Sequence, residues 1–92
     1  MAHTVQNKTD LLLRVRKLKG QVEACERFLE DEQECGKVLQ TLSACRGAVN
    51  ALMAEVIEGH VRSHLVDPDQ VGDTRRGRAA KELISVVRSY LR

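Results

Sequence analysis

The stretch EGHVRSHL, residues 58–65, sets His60 and His64 four residues apart. On a helix that spacing puts both imidazoles on one face, one turn apart, which makes half of a metal site. A third ligand has to come from elsewhere. The chain offers His3, Cys25, Cys35 and Cys45, none of them near in sequence. Cys25 and Cys45 fall on apolar stripes and read as buried core thiols. Cys35 does not, and it is the candidate third ligand. His3 and the N-terminal amine precede the first helix and add further nitrogen donors.

Helices must position these groups. Leu11, Val15, Leu18, Val22, Cys25 and Leu29 are spaced alternately four and three apart, a heptad-like seam that predicts a first helix over roughly 7–30. The acidic EDEQECG reads as a turn. Val38, Leu42, Cys45, Val49, Leu52 and Val56 repeat the spacing and predict a second helix over roughly 35–66. VDPDQVGDT breaks it, with Pro68 and Gly72 as punctuation. A third, shorter helix carries Ala80, Leu83, Val87 and Leu91 on one face. No internal repeat or low-complexity segment interrupts what reads as one all-α domain over 1–92.

Helix geometry then decides where the third ligand sits. The 25 steps from Cys35 to His60 (60 − 35), at about 1.5 Å each, separate them by roughly 37 Å along one straight helix. They meet only if two second helices pack antiparallel across a two-fold axis. Cys35 of one chain then faces His60 of the other. The axis passes near Gly47 and Ala48, within RGAVNALMA, where small side chains suit a close crossing. Symmetry makes two such sites. One thiolate with several nitrogens suits Ni(II) or Co(II) at high coordination number, or Zn(II) at four.

Composition narrows the function classes. The 92 residues contain no Trp, one Tyr and one Phe, with 30% charged residues. So small a chain buries a modest share of its surface alone, and oligomerisation is expected. No apolar run of about eighteen residues spans a membrane. MAHTVQNKTD lacks a basic region followed by an apolar one, so no secretory signal is expected. Three cysteines without a disulfide spacing fit reduced thiols in a cytoplasmic protein. The net charge of +2 hides two basic ends around an acidic 21–37. That distribution suggests a polyanion partner, against the plainer alternative of solvated helix faces. A Cys–His pair can serve as nucleophile and base. With no oxyanion hole or Gly-rich phosphate loop in sight, an enzyme is not expected, and a metal carrier is the other non-enzymatic alternative.

RVRKLKGQVEACERFLE, the Glu34–Cys35 pair and VLQTLSACRGAVNALMAEVIEGH resemble the CsoR/RcnR family of small helical transcriptional repressors over nearly the whole chain. The resemblance implies a three-helix protomer, an antiparallel four-helix dimer core and a dimer of dimers, hence a homotetramer. It implies binding to double-stranded operator DNA without effector, and release when an effector occupies the Cys35 site. His3, Cys35, His60 and His64 are similar to the ligand set of the nickel/cobalt branch, whose members derepress metal-efflux genes. A Cu(I) sensor typically has a second cysteine where this chain has His64, and a persulfide sensor has cysteine in place of His60. The formaldehyde-sensing branch is the rival. It shares Cys35 and His60 and pairs the thiolate with an N-terminal proline amine, where this chain has Ala2. Such sensors often carry Glu where His64 stands.

The resemblance also maps DNA contacts onto Arg14, Lys17 and Arg46, with Lys8 adding to them. Arg14, Lys17 and Gln21 share one face of the first helix by spacing alone. With almost no aromatic residue for base stacking and no recognition-helix pattern, readout of duplex shape across a flat basic surface is expected.

Overall fold

Two long helices joined by a tight turn set the plan of the chain. The structure, a computed structural model, describes residues 7–91. Helix α1 spans Lys8–Glu30 and α2 spans Cys35–His60. A π-type turn, Val61–Leu65, continues α2, and the one-turn helix α3 (Pro68–Val71) and α4 (Arg75–Tyr90) follow. No strand occurs among the described residues. The fold is all-α, as its heptad spacings require.

The α1–α2 turn places Cys35. The backbone N–H of Gln33 donates to the Phe28 carbonyl (2.9 Å) and that of Glu32 to the Leu29 carbonyl (3.2 Å). This bond pair closes a helix on a left-handed residue. Glu32 takes that position, at φ 55°. Lys37 Nζ lies 4.5 Å from the Phe28 ring centroid and ties the two helix ends together. Cys35 is thereby held as the first residue of α2, exposed to solvent.

Each heptad seam is only half used within the chain. Leu11, Leu18 and Cys25 on α1, and Val38, Cys45 and Leu52 on α2, are buried or half-buried where the two helices pack. The alternate positions Val15, Val22 and Leu29, with Leu42 and Val49, are left open. Among the described residues no large side chain is fully buried, and the molecule is a plate of 56 × 25 × 12 Å. Its radius of gyration is 17.1 Å, against about 12 Å for a compact domain of this length. A 12 Å plate is one helix thick. The buried core is correspondingly made of small or medium residues: Cys25, Cys45, Ala54, Val61, Ala80 and Ile84.

Two expectations are corrected at the C-terminal half. The α-helical part of the second helix stops at His60, and residues 61–65 form a wider turn closed by the Val66 N–H donating to the Val61 carbonyl (2.9 Å). Val66 then leaves in extended conformation, which Pro68 favours by barring continued helix. On α4 the inward face is Gly77, Ala80 and Ile84, with Val87 and Leu91 half-buried, while Leu83 is 45% exposed. The 77–80–84–87–91 stripe keeps Ala80, Val87 and Leu91 of the expected face, but α4 is rolled so that Ile84, not Leu83, packs on Val61 and Ala80.

The break between α2 and α4 is itself built. The Asp67 carboxylate accepts from the Asp69 N–H (3.0 Å) to cap α3, and the Thr74 hydroxyl accepts from the Gly77 N–H (3.0 Å) to cap α4. Gly72 turns between them at φ 67°. A Cβ on Gly77 would stand 2.5 Å from the Gly72 carbonyl oxygen and 2.9 Å from Val71 Cγ2. Backbone cannot yield there as a side-chain tip can. Gly77→Ala is therefore expected to destabilise the fold by about 1–3 kcal/mol, read as a lowered thermal midpoint. Gly47→Ala meets nothing within 4 Å inside the chain and gains about 1 kcal/mol of helix propensity, so a net cost in the same assay would point to a close neighbour outside the chain.

Candidate metal and nucleic-acid sites

The structure brings two of the four expected ligands together. The His60 and His64 rings lie with centroids 4.9 Å apart at 42°. His60 ends the regular helix and His64 sits in the wide turn, both exposed. The wide turn keeps the imidazoles adjacent despite the departure from α geometry, and such turns recur at functional sites. Cys35 begins the same helix that His60 ends, so the two remain roughly 37 Å apart within one chain by helical rise. His3 lies outside the described residues. Among the described residues no group of three or more His, Cys, Asp or Glu side chains gathers into a metal-binding cluster.

The basic groups expected at DNA lie on the hairpin. Arg14, Lys17 and Gln21 line a shallow groove of α1 against Ala44, Ala48 and Ala51 of α2. The Gln21 Oε1 atom is buried there and accepts no hydrogen bond. Arg46 is exposed on α2, and Lys8 is exposed at the start of α1.

A chain of ion pairs, not foreseen from the sequence, links the two regions. Arg62, between the two histidines, donates from Nε to Glu58 (3.3 Å) and from Nη1 to Asp67 and Asp69 (both 3.0 Å). Arg88 of α4 donates to Glu58 (Nε 3.1 Å, Nη2 2.9 Å) and to Glu55 (2.9 Å). Burial pushes the Glu58 carboxyl up, but hydrogen bonds from Arg88 and Arg62 and their charges outweigh it and hold the group below its ordinary value. Hydrogen bonds to Glu55 and Glu58 raise the Arg88 pKa in turn. The Glu58–Arg62 spacing of four was a visible signal. Nothing in the sequence marked Arg88 as their partner from 30 residues away.

The structure is thus an all-helical plate with half-open seams, paired histidines and a basic hairpin. The family model for metal-sensitive transcriptional repressors matches residues 7–89, and the chain belongs to that family, the CsoR/RcnR repressors. It is 50% identical over 92 residues, the whole of both chains, to a Serratia marcescens protein known only as an uncharacterized protein in bioA 5'region. It is 41% identical over 92 residues, again the whole of both chains, to the transcriptional repressor RcnR of Salmonella paratyphi B. Among solved structures it is similar to a histidine-for-glutamate variant of the formaldehyde-responsive regulator FrmR from Salmonella enterica serovar Typhimurium. That likeness has a TM-score of 0.65 at 40% identity and covers 92% of this chain and 94% of the other. The family is one of transcriptional repressors, not enzymes. No helix among the described residues is long and apolar enough to cross a membrane.

Proposed function

We propose that this single-domain chain represses transcription by holding double-stranded operator DNA without effector, and releases it on binding Ni(II) or Co(II), so derepressing metal-efflux genes. The observation that carries the effector assignment is the His60–His64 pair, 4.9 Å apart at the end of a helix whose other end presents Cys35. The open halves of both seams call for a second copy. An antiparallel partner covering Val15, Val22, Leu42 and Val49 sets Cys35 of one protomer beside His60 and His64 of the other. His3 and the N-terminal amine complete the shell. Zn(II) fits the same donors at four coordinates. Two dimers then form the tetramer that the family resemblance implies.

Formaldehyde is the second reading, supported by the likeness to FrmR together with the shared Cys35 and His60. In it the Cys35 thiolate and the Ala2 amine take up the aldehyde, and His64 has no essential part.

DNA is held in this account by Arg14, Lys17, Arg46 and Lys8, each neutralising phosphate and releasing counterions. Arg14→Ala or Lys17→Ala is expected to weaken binding to a duplex selected from random sequence by the effector-free protein. The slope of log affinity against log salt should fall by about one per residue removed. Metal affinity should stay unchanged. Loss of metal binding with DNA binding intact would contradict this division of labour.

A further inference from the structure

Carboxylates within the chain compete with DNA phosphate for Arg14. Within the chain its Nε pairs with Asp10 (3.2 Å) and its Nη2 stands 3.9 Å from Glu55 Oε1. A guanidinium drawn onto a carboxylate binds phosphate less well, because its charge is neutralised and the donors facing that carboxylate are taken. The same Glu55 oxygen, Oε1, is held at 2.9 Å by Arg88. Two guanidiniums thus converge on one acceptor atom, with Arg88 in the closer seat.

Arg88 is in turn tied to the histidine turn. Its Nε and Nη2 grip Glu58 Oε1, and Glu58 Oε2 accepts from Arg62, the residue between His60 and His64. The sequence of contacts Arg14–Glu55–Arg88–Glu58–Arg62 passes from α1 through α2 and α4 to the turn. Its inner carboxylates are no more than a third exposed, at 33% for Glu55 and 26% for Glu58. Partial burial reduces screening and makes such pairs more strongly coupled than surface ones.

We propose that Glu55 competes with DNA phosphate for Arg14, and that Arg88 sets the outcome. With Arg88 seated, the Glu55 charge is neutralised and Arg14, held otherwise only by the exposed Asp10, can reach DNA. Occupation of the histidine turn moves Arg62 and Glu58, draws Arg88 off Glu55, and leaves Glu55 to capture Arg14. The two alternative partners of Arg14 supply the bistable element that coupling between distant sites requires. The inference rests on the reading of Arg14 as a DNA contact, and its test separates the two.

The test is a mutant cycle on affinity for the selected duplex, with and without Ni(II), Co(II) or formaldehyde. Arg88→Gln is expected to lower effector-free DNA affinity by about three- to tenfold, and adding Glu55→Gln to restore it. Glu55→Gln alone should blunt effector-driven release. It should have no effect on DNA affinity when Arg14 is already alanine. Glu82→Gln, the same charge change at an exposed α4 position, should not rescue Arg88→Gln. If Glu55→Gln strengthens DNA binding equally with and without Arg14, the effect is bulk charge and the proposal is overturned. If Arg14→Ala leaves DNA binding intact, the DNA-contact reading fails instead. Should Arg88→Gln unfold, the Arg14/Glu55 cycle alone decides.

Discussion

Equal mixtures of Cys35→Ala and His60→Ala chains, refolded together, are expected to regain metal binding that neither variant shows alone. In the proposed antiparallel dimer each site would take its thiolate from one protomer and its imidazoles from the other. A mixed dimer therefore pairs the intact Cys35 of one variant with the intact His60 of the second, and its other site is doubly dead. Random pairing makes half the dimers mixed, each with one of two sites intact, so about a quarter of the wild-type capacity should return. The expectation follows from helix geometry. Cys35 and His60 cap opposite ends of a single 26-residue helix, and no bend within it brings them together. Binding by the mixture no greater than by either homodimer would exclude the intersubunit site.

His64→Glu is the second large effect, and it separates the two effector readings. In the metal reading His64 adds a nitrogen donor one turn beyond His60, with the rings already adjacent. Glutamate substitutes a hard oxygen donor and a negative charge beside the thiolate. Ni(II) and Co(II) affinity should fall at least tenfold, since removing a group that merely supports a ligand commonly costs 10- to 100-fold. Release of DNA by those metals should weaken in step. In the formaldehyde reading the reacting groups are the Cys35 thiolate and the N-terminal amine, so the aldehyde response should persist or improve. Operator release by each agent, compared between the two proteins, gives the answer.

What the sequence could reveal follows from the range of the interactions involved. The first helix, expected over roughly 7–30 and found over Lys8–Glu30, and the start of α2 at Cys35 were legible because heptad spacing is a local signal. So was the separation of Cys35 from His60, which needs only the rise per residue. Which half of each seam turns inward was not legible. Val15 and Leu18 are equally apolar, and only the packed hairpin exposes one and half-buries the other. The wide turn at 61–65 was hidden for a similar reason. It is accompanied by the Arg62 side chain reaching forward to Asp67 and Asp69 and by the extended exit before Pro68. Leu83 and Ile84 are adjacent apolar residues on one helix, and the roll of α4 against Val61 chooses between them. The Glu55–Arg88–Glu58 contacts span 30 or more residues, beyond any periodic pattern.

The same distinction separates the candidate ligands from the ion pairs around them. Ligand types and their spacing lie along the chain, whereas the ion pairs that connect the histidine turn to α1 exist only once α4 has docked. Leu83 and Val86 of α4 and Leu65 in the turn are left exposed.

The proposed coupling means that one and the same protein holds DNA when empty and lets go when its Cys35 and histidine site is filled. It is tested most directly by titrating the effector-free protein, bound to its selected duplex, with Ni(II) and Co(II) and, in parallel, formaldehyde. Release by either metal at concentrations that saturate the site, abolished by Cys35→Ala, is the predicted result. Continued DNA binding at saturating nickel and cobalt, with release by formaldehyde alone, would contradict it.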